Sequence, residues 1–384
     1  MSKKILVVVA LLVVASLLLA ACQPAPAPEE PAAPVEEPVV PVEEPTAPVE
    51  EPTAPVEEPT VPVEEPVAKR VCQVTDAGGI DDRSFNETAW NGLLRAQEEL
   101  GVEVQYLESQ QMADYERNIN ALLEAECDLI VTVGFLLADA TAAAAEANPD
   151  QPFAIIDVDY LDFPNVLGLA YSTHQAAFLA GYMSAGMTQT GVIGTFGGIP
   201  IPPVTIFMDG FYLGAMHYNA VKGTDVRVLG WNPETQEGLF VGNFESTDDG
   251  RIQAESLMDE GADIILPVAG PVGLGSAAAA QERGNAWIIG VDSDWTRTAP
   301  EYTDVILTSI MKLMDASVFD ATQQLVAGTF TGGVYVGTLA NAGVGLGTNA
   351  EAVPAELLAE VEALKQQIID GEVVTRPENA PYDL

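Results

Sequence analysis

The chain has 384 residues, with 57 Asp or Glu against 15 Lys or Arg for a formal net charge of −42, two His, three Cys and 48% hydrophobic residues. Phosphate backbones are bound by clustered Lys and Arg, and no such cluster occurs here, so DNA and RNA are disfavoured as partners. The charge is first of all a solubility feature.

Lys3 and Lys4 precede an apolar run over 5–19, broken only by Ser16 and closing on Leu19-Ala20-Ala21-Cys22. The run is at the short end of the roughly 17–25 residues that span a bilayer. A proline-rich polar segment follows at once, so residues 1–21 read as a cleaved export signal. The closing tetrapeptide resembles the lipobox of bacterial lipoproteins. That implies a lipid on Cys22 as the first mature residue, holding the protein on the extracytoplasmic side of the cell membrane. Residues 22–69 repeat the unit Pro-Val-Glu-Glu-Pro-Thr-Ala with variations. Two prolines per repeat exclude a coiled coil and there is too little apolar bulk to fold, so this is a disordered stalk. In polyproline II form, at about 3.1 Å per residue, it could reach on the order of 100 Å.

Beyond Arg70, short β-branched runs alternate with helical patterns, as in a parallel α/β sheet covered on both faces. Strands are expected over 71–76, 102–107, 128–133, 153–157 and 166–170, with helices over 84–100, 114–125 and 138–147. A second series has strands over 191–196, 225–231, 263–268 and 287–291 and helices near 206–220, 250–260 and 275–283. A strand over 305–309, a helix over 312–326 and short strands near 334–338 read as crossings between two lobes. Residues 354–369 read as an amphipathic helix and 371–374 as an edge strand. Cys72 and Cys127 each start an apolar strand; they read as buried thiols, with a disulfide as the alternative that spacing alone cannot decide. Ligands of open α/β sheets sit at the carboxyl ends of strands, which makes residues just after the strands the site candidates.

The most distinctive such stretch runs from Asp76 to Asn86, Asp-Ala-Gly-Gly-Ile-Asp-Asp-Arg-Ser-Phe-Asn. Gly79 permits close backbone approach and Ser84 is the expected helix N-cap. Acids at this helix start disfavour a phosphate, and there is no G-x-G-x-x-G for a dinucleotide. Neutral polyhydroxyl ligands fit better: carboxylates accept from paired hydroxyls, and Phe85 offers a stacking face.

The motifs Gly79-Ile80-Asp81-Asp82-Arg83-Ser84-Phe85-Asn86, Trp90-Asn91-Gly92, Phe178-Leu179-Ala180-Gly181-Tyr182, Gly261-Ala262-Asp263-Ile264-Ile265, Val268-Ala269-Gly270, Ile289-Gly290-Val291-Asp292-Ser293-Asp294 and Leu307-Thr308-Ser309-Ile310-Met311-Lys312 occur in this order. Together they resemble the basic membrane protein family of ABC-transporter substrate-binding lipoproteins. The resemblance implies a type I periplasmic binding-protein clamshell, two doubly wound parallel-sheet lobes joined by a multi-strand hinge. The expected lobes are 70–172 plus 312–330 and 173–311 plus 331–350, with 351–384 as terminal helix and edge strand. It also implies a monomer that carries a nucleoside, purine by preference, to an ABC permease, without cofactor, metal or catalysis. Polar contacts would come from Asp76, Asn86, Asp157, Asp292 and Lys312, a sandwich from Phe85 and Phe207, and close approach at Gly270. Gln175 departs from the family, where a glutamate is expected. The alternatives are a flavin, a sugar or a sensor role for the same clamshell, and a calcium-dependent nucleoside hydrolase. The hydrolase pattern D-x-D-x-G-x-D-D is broken by Val74 and by the Asp76 to Asp81 gap.

Overall fold

The structure is a computed structural model that describes residues 68–384; the expected signal 1–21, Cys22 and all but the last two residues of the stalk lie outside the described residues. The first series comprises β1 (Arg70–Val74), α1 (Phe85–Leu100), β2 (Glu103–Leu107), α2 (Tyr115–Glu124), β3 (Leu129–Val133), α3 (Ala138–Ala147), β4 (Phe153–Ile156) and β5 (Val166–Tyr171). The second comprises α4 (Thr173–Met187), β6 (Val192–Gly197), α5 (Pro202–Lys222), β7 (Arg227–Leu229), the hairpin of β8 (Trp231–Asn232) and β9 (Glu237–Gly238), α6 (Thr247–Asp259), β10 (Ile264–Val268), α7 (Val272–Arg283), β11 (Trp287–Asp292) and α8 (Trp295–Thr298). The chain ends in β12 (Ile306–Lys312), α9 (Met314–Val326), β13 (Gly333–Gly337), β14 (Val344–Leu346) and α10 (Ala355–Ile369).

Two sheets result, ordered β13-β5-β4-β3-β1-β2 and β14-β12-β11-β10-β6-β7. All their pairings are parallel except β14 on β12. Burial on both faces explains the unbroken apolar strands. In β1, Val71 shares a core with Ala89 and Leu93 of α1, while Cys72 and Val74 point to the opposite core with Ile119 and Leu122 of α2. The chain passes between sheets through α4, through α9 and between β13 and β14.

The structure corrects several expectations. Cys72 and Cys127 are joined in a disulfide with their Cα atoms 6.0 Å apart. Parallel pairing of β1 with β3, Cys72 opposite Ile130, brings the start of β3 alongside Cys72, and that register was invisible in the spacing. Residues 331–350 do not all belong with the second sheet, because β13 pairs with β5 in the first. No strand forms over 371–374: Gly371 N–H donates to Ile368 O and Glu372 N–H to Gln367 O, so the chain folds back to close α10 in a Schellman arrangement. Helix α4 was not anticipated. It is buried nearly all round and therefore shows no polar stripe. It packs against α5 so closely that a Cβ on Gly181 would stand 2.0 Å from the Phe211 carbonyl oxygen.

Replacing both Cys72 and Cys127 by Ala should cost about 2–4 kcal/mol, because the bond closes a long loop of the unfolded chain. Urea unfolding with and without dithiothreitol checks this: reductant should destabilise the native protein by a similar amount and leave the double variant unchanged.

Candidate functional site

The carboxyl ends of strands from both sheets meet at one cavity, the kind of place where α/β folds hold small molecules. The first sheet and its helix α1 contribute Asp76, Phe85 and Asp157; the second contributes Phe207 from α5, Gly270 after β10, Asp292 at the end of β11 and Lys312 at the end of β12. Asp157 and Asp292 occupy equivalent places. Each ends a strand with a left-handed backbone, φ 64° and 66°, a conformation Asp tolerates better than most residues and one that turns its carboxylate into the cavity wall.

Lys312 joins the two sides. Its side chain is 2% exposed, with Nζ 2.6 Å from Asp157 Oδ2 and 4.0 Å from Asp292 Oδ1. The same ammonium lies 5.1 Å from the Phe85 ring centroid, 5.2 Å from that of Phe207 and 6.0 Å from that of Tyr171. Loss of water pushes the Asp76 and Asp157 carboxyls up, opposed at Asp76 by donors from Asn86 and Gly78 and at Asp157 by Lys312. Burial pushes Asp292 up to about 6, with Lys312 pulling it down and Asp157 adding to the rise.

Asn86 does not line the cavity. Its Nδ2 donates to Asp76 Oδ1 at 2.8 Å and Asp82 Oδ2 at 3.1 Å, and its Oδ1 accepts from the Asp76 N–H at 3.3 Å, so it positions Asp76. The N-cap expectation for Ser84 also needs correction. Asp82 caps α1, accepting from the backbone N–H groups of Ser84, Asn86 and Glu87 at 2.8–3.1 Å. Burial nevertheless pushes its carboxyl up to about 7. Ser84 Oγ is thereby free to reach across the cleft and donate to Val291 O and Asp292 Oδ2 at 3.1 and 3.0 Å. Beside it Arg83 pairs with Glu301, and Ser293 Oγ donates to Arg83 O at 3.0 Å. Gln175 lies away from the cavity; its Oε1 accepts from the Leu339 N–H at 2.9 Å, next to the crossing from β13 to β14.

Sequence reading missed Gly134, Phe135 and Phe244, which line the cavity along with Ile201 and Pro203. Gly134 and Phe135 follow β3, so the strand-end rule pointed to them. At Gly134, φ is 117° and a Cβ would stand 3.1 Å from Asp76 Oδ2 and 3.4 Å from the Phe85 ring, so glycine leaves room for both side chains. Phe244 comes from the loop between β9 and α6 and carried no signal. Pro202 and Pro203 open α5, in the first turn, where a missing N–H costs nothing. His174 and His217, the two histidines, lie on α4 and α5 outside the cavity.

Residues 69–378 match a family model described as ABC transporter substrate-binding protein, PnrA-like. The chain is 33% identical over 312 residues to basic membrane protein A of Borreliella burgdorferi, covering 80% of this chain and 87% of that protein. It is 32% identical over 318 residues to the ABC transporter nucleoside-binding protein BmpA of Lactococcus lactis, covering 78% and 87%. Among solved structures, an ABC transporter solute-binding protein from Aeropyrum pernix superposes with a TM-score of 0.72 at 29% identity, covering 81% of this chain and 94% of that one.

Lys312→Met should destabilise the protein by about 3–5 kcal/mol, since it strands buried carboxylates without a partner. In a double-mutant cycle Asp157→Asn should recover part of that loss, as read by urea unfolding. Stability should also depend on pH through Asp292. Its folded-state value of about 6 lies above the ordinary 3.8, so the native state holds a proton that the unfolded chain has lost. Between pH 4 and 6 this group therefore makes stability fall as pH rises, by at most about 1.4 kcal/mol per pH unit. Asp292→Asn should flatten that slope in unfolding curves of the ligand-free protein.

Proposed function

The chain belongs to the PnrA-like family of ABC transporter substrate-binding proteins, which bind solutes and are not enzymes, and from that premise we propose that it captures a purine nucleoside between its lobes and hands it to a membrane permease. The single observation that carries the reading is the pair of phenyl rings, Phe85 from one side and Phe207 from the other, both within 5.2 Å of the same buried ammonium and both facing one cavity. A planar heterocycle entering there has an aromatic face on each side. Asp76, Asp157 and Asp292 supply acceptors suited to sugar hydroxyls and ring N–H groups. Lys312 is already paired with Asp157, so among the described residues a phosphorylated ligand meets no free cation at the cavity wall. The relative from Lactococcus lactis is named as nucleoside-binding, which supports the same assignment.

The sheets with their covering helices act as the lobes and the crossings through α4, α9 and the link from β13 to β14 act as the hinge; ligand contacts made from both sides favour the closed form. Export through residues 1–21 and lipid on Cys22 keep this monomer at the extracytoplasmic face, with the stalk giving it reach toward the permease.

Isothermal titration of the fragment from Arg70 onward against adenosine, guanosine, inosine, uridine, riboflavin and ribose tests the assignment. A purine nucleoside should bind most tightly, and Phe85→Ala or Phe207→Ala should weaken it at least about tenfold, near 1.4 kcal/mol. Preference for riboflavin or ribose, or silence from every nucleoside, would remove the proposed cargo.

A further inference from the structure

A second chamber, of about 250 Å³, opens beside the main cavity. The two share Phe135, Asp157, Pro203 and Lys312 as common walls, so the buried ion pair stands at the doorway between them. Apart from Asp159 and Thr173, the rest of the side chamber is aromatic and aliphatic: Tyr160 and Tyr171 from the first sheet's side, Pro202 and Ile206 from α5, and Pro381, Tyr382 and Leu384 from the C-terminal segment.

That segment is fixed to the second lobe. His174 on α4 holds it at both ends, Nδ1 at 2.6 Å from Thr375 Oγ1 and Nε2 at 2.9 Å from Leu384 O. Burial pushes the imidazole down to about 4, so the neutral ring accepts from the Thr375 hydroxyl and donates to the Leu384 oxygen. Tyr382 stacks on the same ring at 6.1 Å and donates to Asp209 Oδ2 at 2.8 Å. Asp209 is fully buried and also accepts from Trp231 Nε1 at 2.9 Å and Gln236 Nε2 at 3.0 Å, which ties the anchor to the β8–β9 hairpin. Across the chamber stand Phe135 and Tyr160, edge to face at 6.0 Å. The segment is thus a wall carried by one side of the clamshell and closing against the other.

From this geometry we infer that the side chamber is a second subsite, receiving a neutral apolar or aromatic substituent on the nucleoside held in the main cavity, and that the C-terminal segment is its outer wall. The inference rests on the nucleoside reading above. Two carboxylates, Asp157 and Asp159, line the chamber against one ammonium already paired to the first of them, so an anionic substituent is repelled while a neutral one meets rings and aliphatic carbon. Only one end of a bound nucleoside can face the doorway, so substitution should be accepted at one position and refused at another.

The test compares the tightest-binding parent purine nucleoside with its 5′-methylthio, 5′-benzylthio and N6-benzyl derivatives and with its 5′-monophosphate, by titration calorimetry on the folded chain. One position of substitution should bind at least as tightly as the parent, and the monophosphate at least tenfold more weakly. Tyr160 is 56% exposed and outside the main cavity, so Tyr160→Ala should fold normally and change parent affinity less than twofold while weakening the accepted derivative at least fivefold. Tyr160→Trp, which narrows the chamber, should favour the methylthio over the benzylthio compound if the 5′ end is the one accepted. Tenfold weaker binding of every derivative with the parent still tight would overturn the subsite and leave the nucleoside reading intact. Equal loss of parent and derivative in Tyr160→Ala would overturn it too, as would a monophosphate that binds as well as the derivatives. Failure of the parent itself would remove the nucleoside reading and this inference with it.

Discussion

Among the described residues Lys312 is the only ammonium at the cavity wall, and it is buried between strand ends of opposite sheets, 2.6 Å from Asp157 on one side and 4.0 Å from Asp292 on the other. Removing an ammonium from water costs several kcal/mol unless an opposite charge and further contacts compensate. Here the compensation comes from both sheets, with three aromatic rings adding their faces. The consequence for chemistry is direct. With Asp76, Asp157 and Asp292 against one lysine, the cleft is short of positive charge, and the raised carboxyls record the strain of holding these acids away from water. Such a wall accepts hydrogen bonds and repels phosphate.

The turn from Asp76 to Asn86 shows how an acid-rich stretch can be structural and functional together. Asp82 is spent on the first turn of α1, and Asn86 on aligning Asp76. Because the cap is made by Asp82, Ser84 can cross the cleft to Asp292, and Arg83 can follow to Glu301. Residues adjacent in sequence therefore divide between building one lobe and gripping the other. The exposed Arg83–Glu301 pair is worth little by itself. The buried Ser84 contact fixes the carboxylate that a ligand would meet.

Much of this was legible in the sequence. Alternation of β-branched runs and amphipathic helices marked most strands of both sheets, and the resemblance carried by the ordered motifs pointed to Asp157 and Asp292, which line the cavity. What stayed hidden had physical causes. Helix α4 is buried nearly all round and carries no polar stripe, so periodicity had nothing to report. The disulfide depends on the register of β1 against β3, which local sequence does not carry. Gly371-Glu372-Val373-Val374 has strand composition, but its first two residues are taken by the end of α10. Asn86 has the right chemistry for a ligand contact and the right place in the motif, yet Asp76 and Asp82 use up its amide. Composition identifies which residues are capable of a contact; only the fold decides whether a neighbour has already taken it.

Three side-chain contacts cross the cleft: Lys312 to Asp157, Ser84 to Asp292 and Arg83 to Glu301. Under the closure proposed above, such contacts belong to the closed form, and a ligand shifts the balance only by binding that form better than the open one. Contacts made to one lobe alone add affinity without shifting that balance. Phe85 with Phe207, and Asp157 with Asp292, come in pairs from opposite sides, so a ligand that touches both members of either pair is the kind that closes the clamshell. The neutral, two-faced, hydroxyl-bearing ligand favoured by the cleft's charge is therefore also the one favoured by its mechanics.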